Sequence, residues 1–290
     1  MNKKVLVLLL LLAAIGLGFY FKNDILKIYN NTAKNLQYFQ KNDLGDIINE
    51  VKREIFTPPP LNIGGKANNV VLTKDKIIAA TNIQRYDNGL LPPLIENAQL
   101  TAAAKAKAED MFAKQYFEHV SPSGLDPGTL VKSFGYDYIV TGENLILGNF
   151  SSEQEVVQLW MNSPGHRANI LNSRFTEIGV AMVKGTYKGQ TAWIGVQEFG
   201  LPISACAQPS GSLKNQIAAN KSRLDILAAQ IEAKKAEIDN TNPHSPEYNR
   251  LVDEHNALVA EYNSLNQETR NLIIQYNSQV SKFNQCVAGS

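Results

Sequence analysis

Neither sign of charge is in excess in this chain, and cysteine is nearly missing. Over 290 residues the formal net charge is +1. No basic stripe accompanies it, which excludes the electrostatic footprint of a nucleic-acid binder. The two cysteines, Cys206 and Cys286, form no CxxC pair and have no His at zinc-finger spacing. A G-x-S-x-G elbow is absent too. Ser163 and His166 stand three apart, but Ser163-Pro164-Gly165 reads as a helix stop, so a serine nucleophile is set aside. The length admits one ordinary domain with additions, or two.

The N-terminus has a distinct character. Lys3 and Lys4 precede an unbroken apolar run, residues 5–21. At about 17 residues the run sits at the lower edge for a membrane span and above a usual signal core. It lacks a clean A-x-A cleavage site, and no Cys follows to carry a lipid. The basic flank favours an N-terminus left inside. Residues 1–21 therefore read as an uncleaved, single-pass signal anchor that puts the bulk of the chain outside the cytoplasm. A secreted, cleaved form is the alternative. Residues 22–72 read as a loosely helical stalk and a linker, with a stiff extended break at Thr57-Pro58-Pro59-Pro60 and a loop over 62–69.

Periodicity then predicts a folded domain. Thr73 is placed to cap a helix to about residue 86. Asn97 caps another, with Leu100, Ala104, Ala108, Met111 and Phe112 as its buried stripe. A short helix is expected over 129–134, ending at Gly135. Ser152 and Glu155 form a capping box for a helix carrying Val156, Val157 and Trp160, which Pro164-Gly165 stops. Strands are expected over 136–147, 178–183 and 191–198, the last two antiparallel across the connection 184–190. Helices on both faces of a small sheet give an α-β-α layering. Trp160 and Trp193 are read as core residues.

The ordered motifs Gly142-Glu-Asn-Leu145, Trp160-Met-Asn-Ser-Pro-Gly-His-Arg-Ala-Asn-Ile-Leu171 and Phe175-Thr-Glu-Ile-Gly-Val180 are specific. With Asn82-Ile-Gln-Arg85, Tyr116-Phe-Glu-His119 and Gln197-Glu-Phe-Gly200 they make residues 73–201 resemble the bacterial branch of the CAP superfamily. That superfamily includes cysteine-rich secretory, antigen 5 and pathogenesis-related 1 proteins, and its unit is also called the SCP domain. The resemblance implies an α-β-α sandwich and a cleft lined by two His and two acids, which binds divalent metal in some members. His119, Glu143 and His166 match three of these. The fourth position, a glutamate three residues after the motif Trp, is Ser163 here, which weakens the case for glutamate-assisted hydrolysis.

On their own chemistry, two neutral imidazoles suit Zn²⁺ or another divalent cation, as a weak site. Glu143 would then be a base or a partner for a His. The structural reading of all three residues stays open: satisfied histidines, and a carboxylate fixing a nearby loop.

Residues 202–290 form the last segment. Leu213, Ile217, Leu224, Leu227, Ile231 and Ile238 run at heptad-like spacing, and a second series from Leu251 to Phe283 follows Pro246. This predicts an antiparallel helical hairpin, with the alternative that the helices pair between chains. Its role is a spacer, a self-association device or a docking surface. Helices of about 28 and 40 residues span roughly 42 and 60 Å, respectively. Residues 207–212, extended at about 3.3 Å each, make up the difference. Both sulfurs then meet at one end of the hairpin, and exported cysteines are candidates to pair. A Cys206–Cys286 disulfide is expected.

The sequence thus predicts an α+β chain, an α-β-α CAP/SCP domain between an N-terminal membrane helix and a C-terminal helical hairpin. Its expected function is that of a membrane-tethered extracytoplasmic binding module for a wall, lipid or protein ligand of the cell envelope. The alternatives are a metal-dependent hydrolase using His119, His166 and Glu143, and a structural envelope protein acting through the hairpin.

Overall fold

The computed structural model describes residues 53–66 and 69–289. The expected membrane helix and nearly all of the stalk lie outside the described residues. Among those described, no helix is long and apolar enough to cross a membrane. The described chain falls into two compact units, one of residues 53–208 with 282–289 and the other of 209–281.

In the first unit the chain enters through two short strands, β1 (Glu54–Phe56) and β2 (Leu61–Gly64). Helix α1 (Lys74–Asp87), strand β3 (Ile95–Glu96), helix α2 (Ala98–Lys114) and helix α3 (Pro127–Ser133) follow. Then come β4 (Tyr138–Gly148), α4 (Glu153–Asn162), α5 (Pro164–Ile170), β5 (Glu177–Tyr187) and β6 (Gln190–Pro202). The sheet order is β1-β4-β6-β5-β3, with β2 also on β4. Strands β4, β6 and β5 are antiparallel, whereas β1 and β2 run parallel to β4, and β3 parallel to β5.

Two apolar layers flank this sheet. On one face Ile77 of α1, Val156 and Trp160 of α4 and Ile170 of α5 pack with Val140, Ile146, Val180 and Phe199. On the other, Ala104, Ala108 and Met111 of α2 pack with Leu145, Leu147, Ile194 and Val196. Even and odd positions of one strand thus serve opposite faces, as the pleat requires. This is the expected sandwich, and both tryptophans are buried in it.

Local signals act much as their chemistry predicts, with instructive exceptions. The Asn97 side chain accepts from Gln99 N and Leu100 N, capping α2. Ser152 caps α4 through Glu155 N, while the Glu155 carboxylate reaches back to Ser151 N rather than to the cap residue. Thr73 makes no side-chain cap. Its hydroxyl and its N–H both donate to Glu153 Oε1, tying the start of α1 to α4. Helix α3 starts two residues earlier than expected, because Asp126 caps it and Pro127 fits the first turn. The expected loop at 184–190 shrinks to Lys188-Gly189, both left-handed, so β5 and β6 pair up to Tyr187 and Gln190. The region expected as loop after the prolines contains β2, paired with Ile146 to Gly148.

The second unit is a hairpin of α6 (Gly211–Asp239) and α7 (Pro246–Ala288). Leu224, Leu227 and Ile231 pack on Val259 and Tyr262, and Ile217 on Tyr276 and Val280, an antiparallel seam within one chain. His255 is buried in that unit with both ring nitrogens unpartnered, and burial lowers its pKa. In the first unit the last turn of α7 returns, and Cys286 is bonded to Cys206 as expected, with Cα atoms 5.8 Å apart. Cys206 is buried against Ile139 and Phe283, while Cys286 is exposed.

Candidate functional site

Strand β4 carries Glu143 on the α2 face, and its partner directly across the sheet is Glu198 of β6. Both side chains are fully buried. Beside them lies Lys107, in the buried stripe of α2 between Ala104 and Met111. Its ammonium donates to His119 O at 2.5 Å and, at 3.4 Å, to the Tyr116 hydroxyl, which itself donates to Asp110. Burial pulls the Lys107 pKa down, and Glu143 and Glu198 pull it back up. Burial first, and then the Glu143 charge, hold the Glu198 carboxyl well above the usual carboxylate range. A protonated Glu198 can donate to Glu143, which relieves two acids facing each other without water. Neither Glu198 oxygen has another partner.

The loop after α2 brings His119 over this pair. His119 Nδ1 lies 2.6 Å from Glu143 Oε1. Its Nε2 lies 2.5 Å from the carbonyl oxygen of Pro58. A carbonyl only accepts, so Nε2 is the donor there and offers no lone pair to a metal.

His166 comes from the first turn of α5, where Pro164 begins a new helix. Its Nδ1 lies 2.8 Å from Ser163 Oγ, so the serine in place of the expected glutamate engages the His directly. His166 is 1% exposed. Burial, then the nearby His119, push its pKa down to about 4, slightly opposed by the Leu145 carbonyl. Its Nε2 is buried without a hydrogen-bond partner, and Glu143 Oε2 has none beyond the facing Glu198 carboxyl.

The structure thus brings His119 onto Glu143 and sets His166 near enough to His119 for the two rings to interact electrostatically. Among the described residues no group of three or more His, Cys, Asp or Glu is arranged to hold a metal ion. With Pro58 O on His119 Nε2, the donor set present does not fit one.

Most other motif residues hold the scaffold. Asn169 donates to Asn144 Oδ1 at 2.9 Å, Asn144 donates to Gln197 and to His166 O, and Gln197 donates to Thr81. Buried Arg85 donates to the carbonyls of Pro92, Ile170, Asn172 and Phe175, fastening the chain after α5 to α1. Lys107 and Glu198 were missed as site residues from the sequence. Both had a readable signal, a charge at a core-facing position of a helix stripe or of an alternating strand.

Residues 79–199 match the model of the cysteine-rich secretory protein family, CAP. YkwD of Bacillus subtilis (strain 168) is 47% identical over 109 residues, 38% of this chain and 42% of that protein. The membrane protein YlbC of the same organism is 33% identical over 116 residues, 40% of this chain and 33% of that protein. The match therefore spans less than half of either relative. Among solved structures, an extracellular SCP-domain protein of Bacillus anthracis str. Ames is 30% identical with TM-score 0.37, covering 46% of this chain and 45% of that one.

Proposed function

We propose, on the premise that residues 79–199 match the cysteine-rich secretory protein (CAP) family, that the chain is a membrane-tethered extracytoplasmic binding module that presents its CAP domain to a ligand of the cell envelope. The observation that carries this is the closed state of the site. Glu143 and Glu198 are fully buried, and both ring nitrogens of His119 are engaged by Glu143 and Pro58. Such a cluster suits recognition better than proton transfer to a bulk substrate, which needs a group within reach of it. The Cys206–Cys286 disulfide supports an oxidising compartment. Tethering is supported by the basic flank and apolar run 5–21 and by the likeness to YlbC, a membrane protein.

In fractionated cells the full chain should sediment with membranes, resist high-salt washing and keep Cys206–Cys286 oxidised. Detergent-solubilised protein should bind isolated envelope saturably, with no loss in EDTA. A soluble chain starting after Gly18 would defeat the tether, and absence of saturable binding would defeat the module.

The second reading is a divalent-metal hydrolase using His119, His166 and Glu143. It is favoured by the unpartnered His166 Nε2 and by Glu143 Oε2, which meets only the Glu198 carboxyl. It requires Pro58 to leave His119. Calorimetry would show weak Zn²⁺ binding lost in His119→Ala and His166→Ala, and equal affinity in the double variant would remove it.

A further inference from the structure

The segment 53–66 is attached to the CAP domain in an unusual way. Strand β1 pairs with Val140 to Gly142 on one edge of β4, and β2 pairs with Ile146 to Gly148 on the same edge. Between them Thr57-Pro58-Pro59-Pro60 leaves the edge opposite residues 143–145, where Glu143 sits. The main chain is read by side chains at that point. His119 Nε2 donates to Pro58 O, and Asn169 Nδ2 donates to Phe56 O at 3.2 Å. Pro58 sits where a side chain would be at position 165. A Cβ on Gly165 would lie 2.6 Å from Pro58 Cβ.

Burial separates this segment from an ordinary strand of the core. Between residues 53 and 66, Pro58 alone has a buried side chain. Ile55 and Ile63 are each 41% exposed, and Phe56 is 38% exposed. The hold comes from main-chain hydrogen bonds on a sheet edge and one seated proline, with lesser side-chain contacts from half-buried Leu61 on the core, Phe56 edge-on to Phe175, and the ion pairs Arg53–Asp137 and Glu54–Arg174. Peptide ligands added to sheet edges are bound in that way, with the backbone giving affinity and one pocket giving selectivity.

We infer that the cleft formed by the β4 edge, His119, Asn169 and Gly165 is a binding site for an extended, proline-bearing peptide, and that the chain's own residues 54–64 occupy it in cis. This deepens the binding reading and rests on it. It names the ligand class as protein, and it makes ligand entry a competition with a tethered segment at high effective concentration.

The test uses the full chain in detergent and a fluorescein-labelled synthetic peptide of residues 53–66. Pro58→Glu puts a charge into a buried seat and should expel the cis segment. Fluorescence polarisation should then show saturable peptide binding to Pro58→Glu, at least tenfold tighter than to the wild-type chain. Adding His119→Ala or Gly165→Leu to that variant should abolish binding, and a Pro58→Glu peptide should not bind. A folded Pro58→Glu chain that ignores the peptide overturns the inference, as does equal binding by the wild type.

Should Pro58→Glu fail to fold, hydrogen exchange on the wild type decides. Amides of 54–56 and 61–64 should open well before those of β6, and faster still with saturating peptide. Exchange only through global unfolding would mark the segment as part of the fold and refute its role as a ligand. Envelope binding without peptide binding would refute the ligand class and leave the module reading standing. Absence of both would refute both.

Discussion

Acidification tests the burial of His166. Burial and the proximity of His119 push this ring down to about 4, from an ordinary 6.5. In the unfolded chain the ring regains its ordinary value. Between these limits the unfolded chain binds a proton that the folded chain refuses, so stability rises with pH across the window. The contribution is fully present above the unfolded value and is lost as pH falls toward the folded one. Carrying a single titrating ring from about pH 7 to about pH 4.5 gives a loss of about 2 kcal/mol. Glu198 acts with the opposite sign. Its raised folded pKa stabilises at low pH, and that contribution fades as pH rises. Asp110, Asp126, Glu153 and Glu155 are held low, so their contributions begin to be lost as pH falls into the ordinary carboxylate range, at the acid end of the window, and the reference variant shares that loss. The assay is urea denaturation at a series of pH values, read by tryptophan fluorescence. The chain has two tryptophans, and both are buried in the CAP domain. The signal is thus blind to the hairpin and to His255. His166→Gln provides the reference, and the difference between the two stability curves isolates the ring whatever the variant's own offset. A difference curve flat across the window would refute a buried, neutral His166.

Three further perturbations follow from particular contacts. A Cβ at Gly179 would lie 2.1 Å from Leu100 C and Thr101 N, main-chain atoms of α2. Gly179→Ala should therefore lower the urea midpoint by about 1–3 kcal/mol equivalent at unchanged slope, and an unmoved midpoint would count against the close packing. The Cys206–Cys286 bond spans 80 residues. Replacing both with Ser should lower thermal stability, the chain-entropy limit being about 4.5 kcal/mol, and an unchanged melt would show that the unfolded chain gains nothing from the link. Glu198→Gln keeps a donor toward Glu143 without a charge, so it should gain about 1 kcal/mol at neutral pH and flatten the decline toward high pH. A steeper decline in the same fluorescence assay would argue against a protonated Glu198.

Much of the α-β-α architecture was legible because its signals are local. Asn97, Ser152, Pro164 and the stripe of α2 each act through neighbours within one helical turn, where spacing alone carries the information. What was not legible depended on partners far along the chain. Thr73 looks like a cap and instead holds Glu153, 80 residues away. The segment around the three prolines looks like a detached linker because proline denies the ladder its donors. Its flanks nevertheless pair with β4, and no local rule announces a parallel partner more than 80 residues on. His119, Glu143 and His166 were nominated through resemblance, and the meeting of His119 with Glu143 is a long-range contact of the same kind. Glu198 and Lys107 are a different case. Each breaks an apolar pattern at a core-facing position, and reading that break as information would have found the buried acid pair.

The distribution of hydrogen bonds explains why such motifs specify a fold more sharply than an activity. Asn144, Asn169 and Arg85 donate to main chain or to other members of this set, and Gln197 donates to the Thr81 hydroxyl. Each is buried, so removing one leaves its partners without water to replace it, at about 1–3 kcal/mol per orphaned group. Asn144, Gln197 and Arg85 would be required whatever ligand the domain takes, while Asn169 also reaches the cleft through Phe56 O. The positions free to differ are those facing the cleft, and there the chain has Ser163 on His166 and a proline carbonyl on His119. A glutamate at 163 would set a third carboxylate near His119, His166 and Glu143 and favour a charged, cation-binding centre. Serine leaves His166 neutral and the cleft closed by main chain. Selection for chemistry would act on that short set of positions, and in this chain they are fitted to hold a peptide bond.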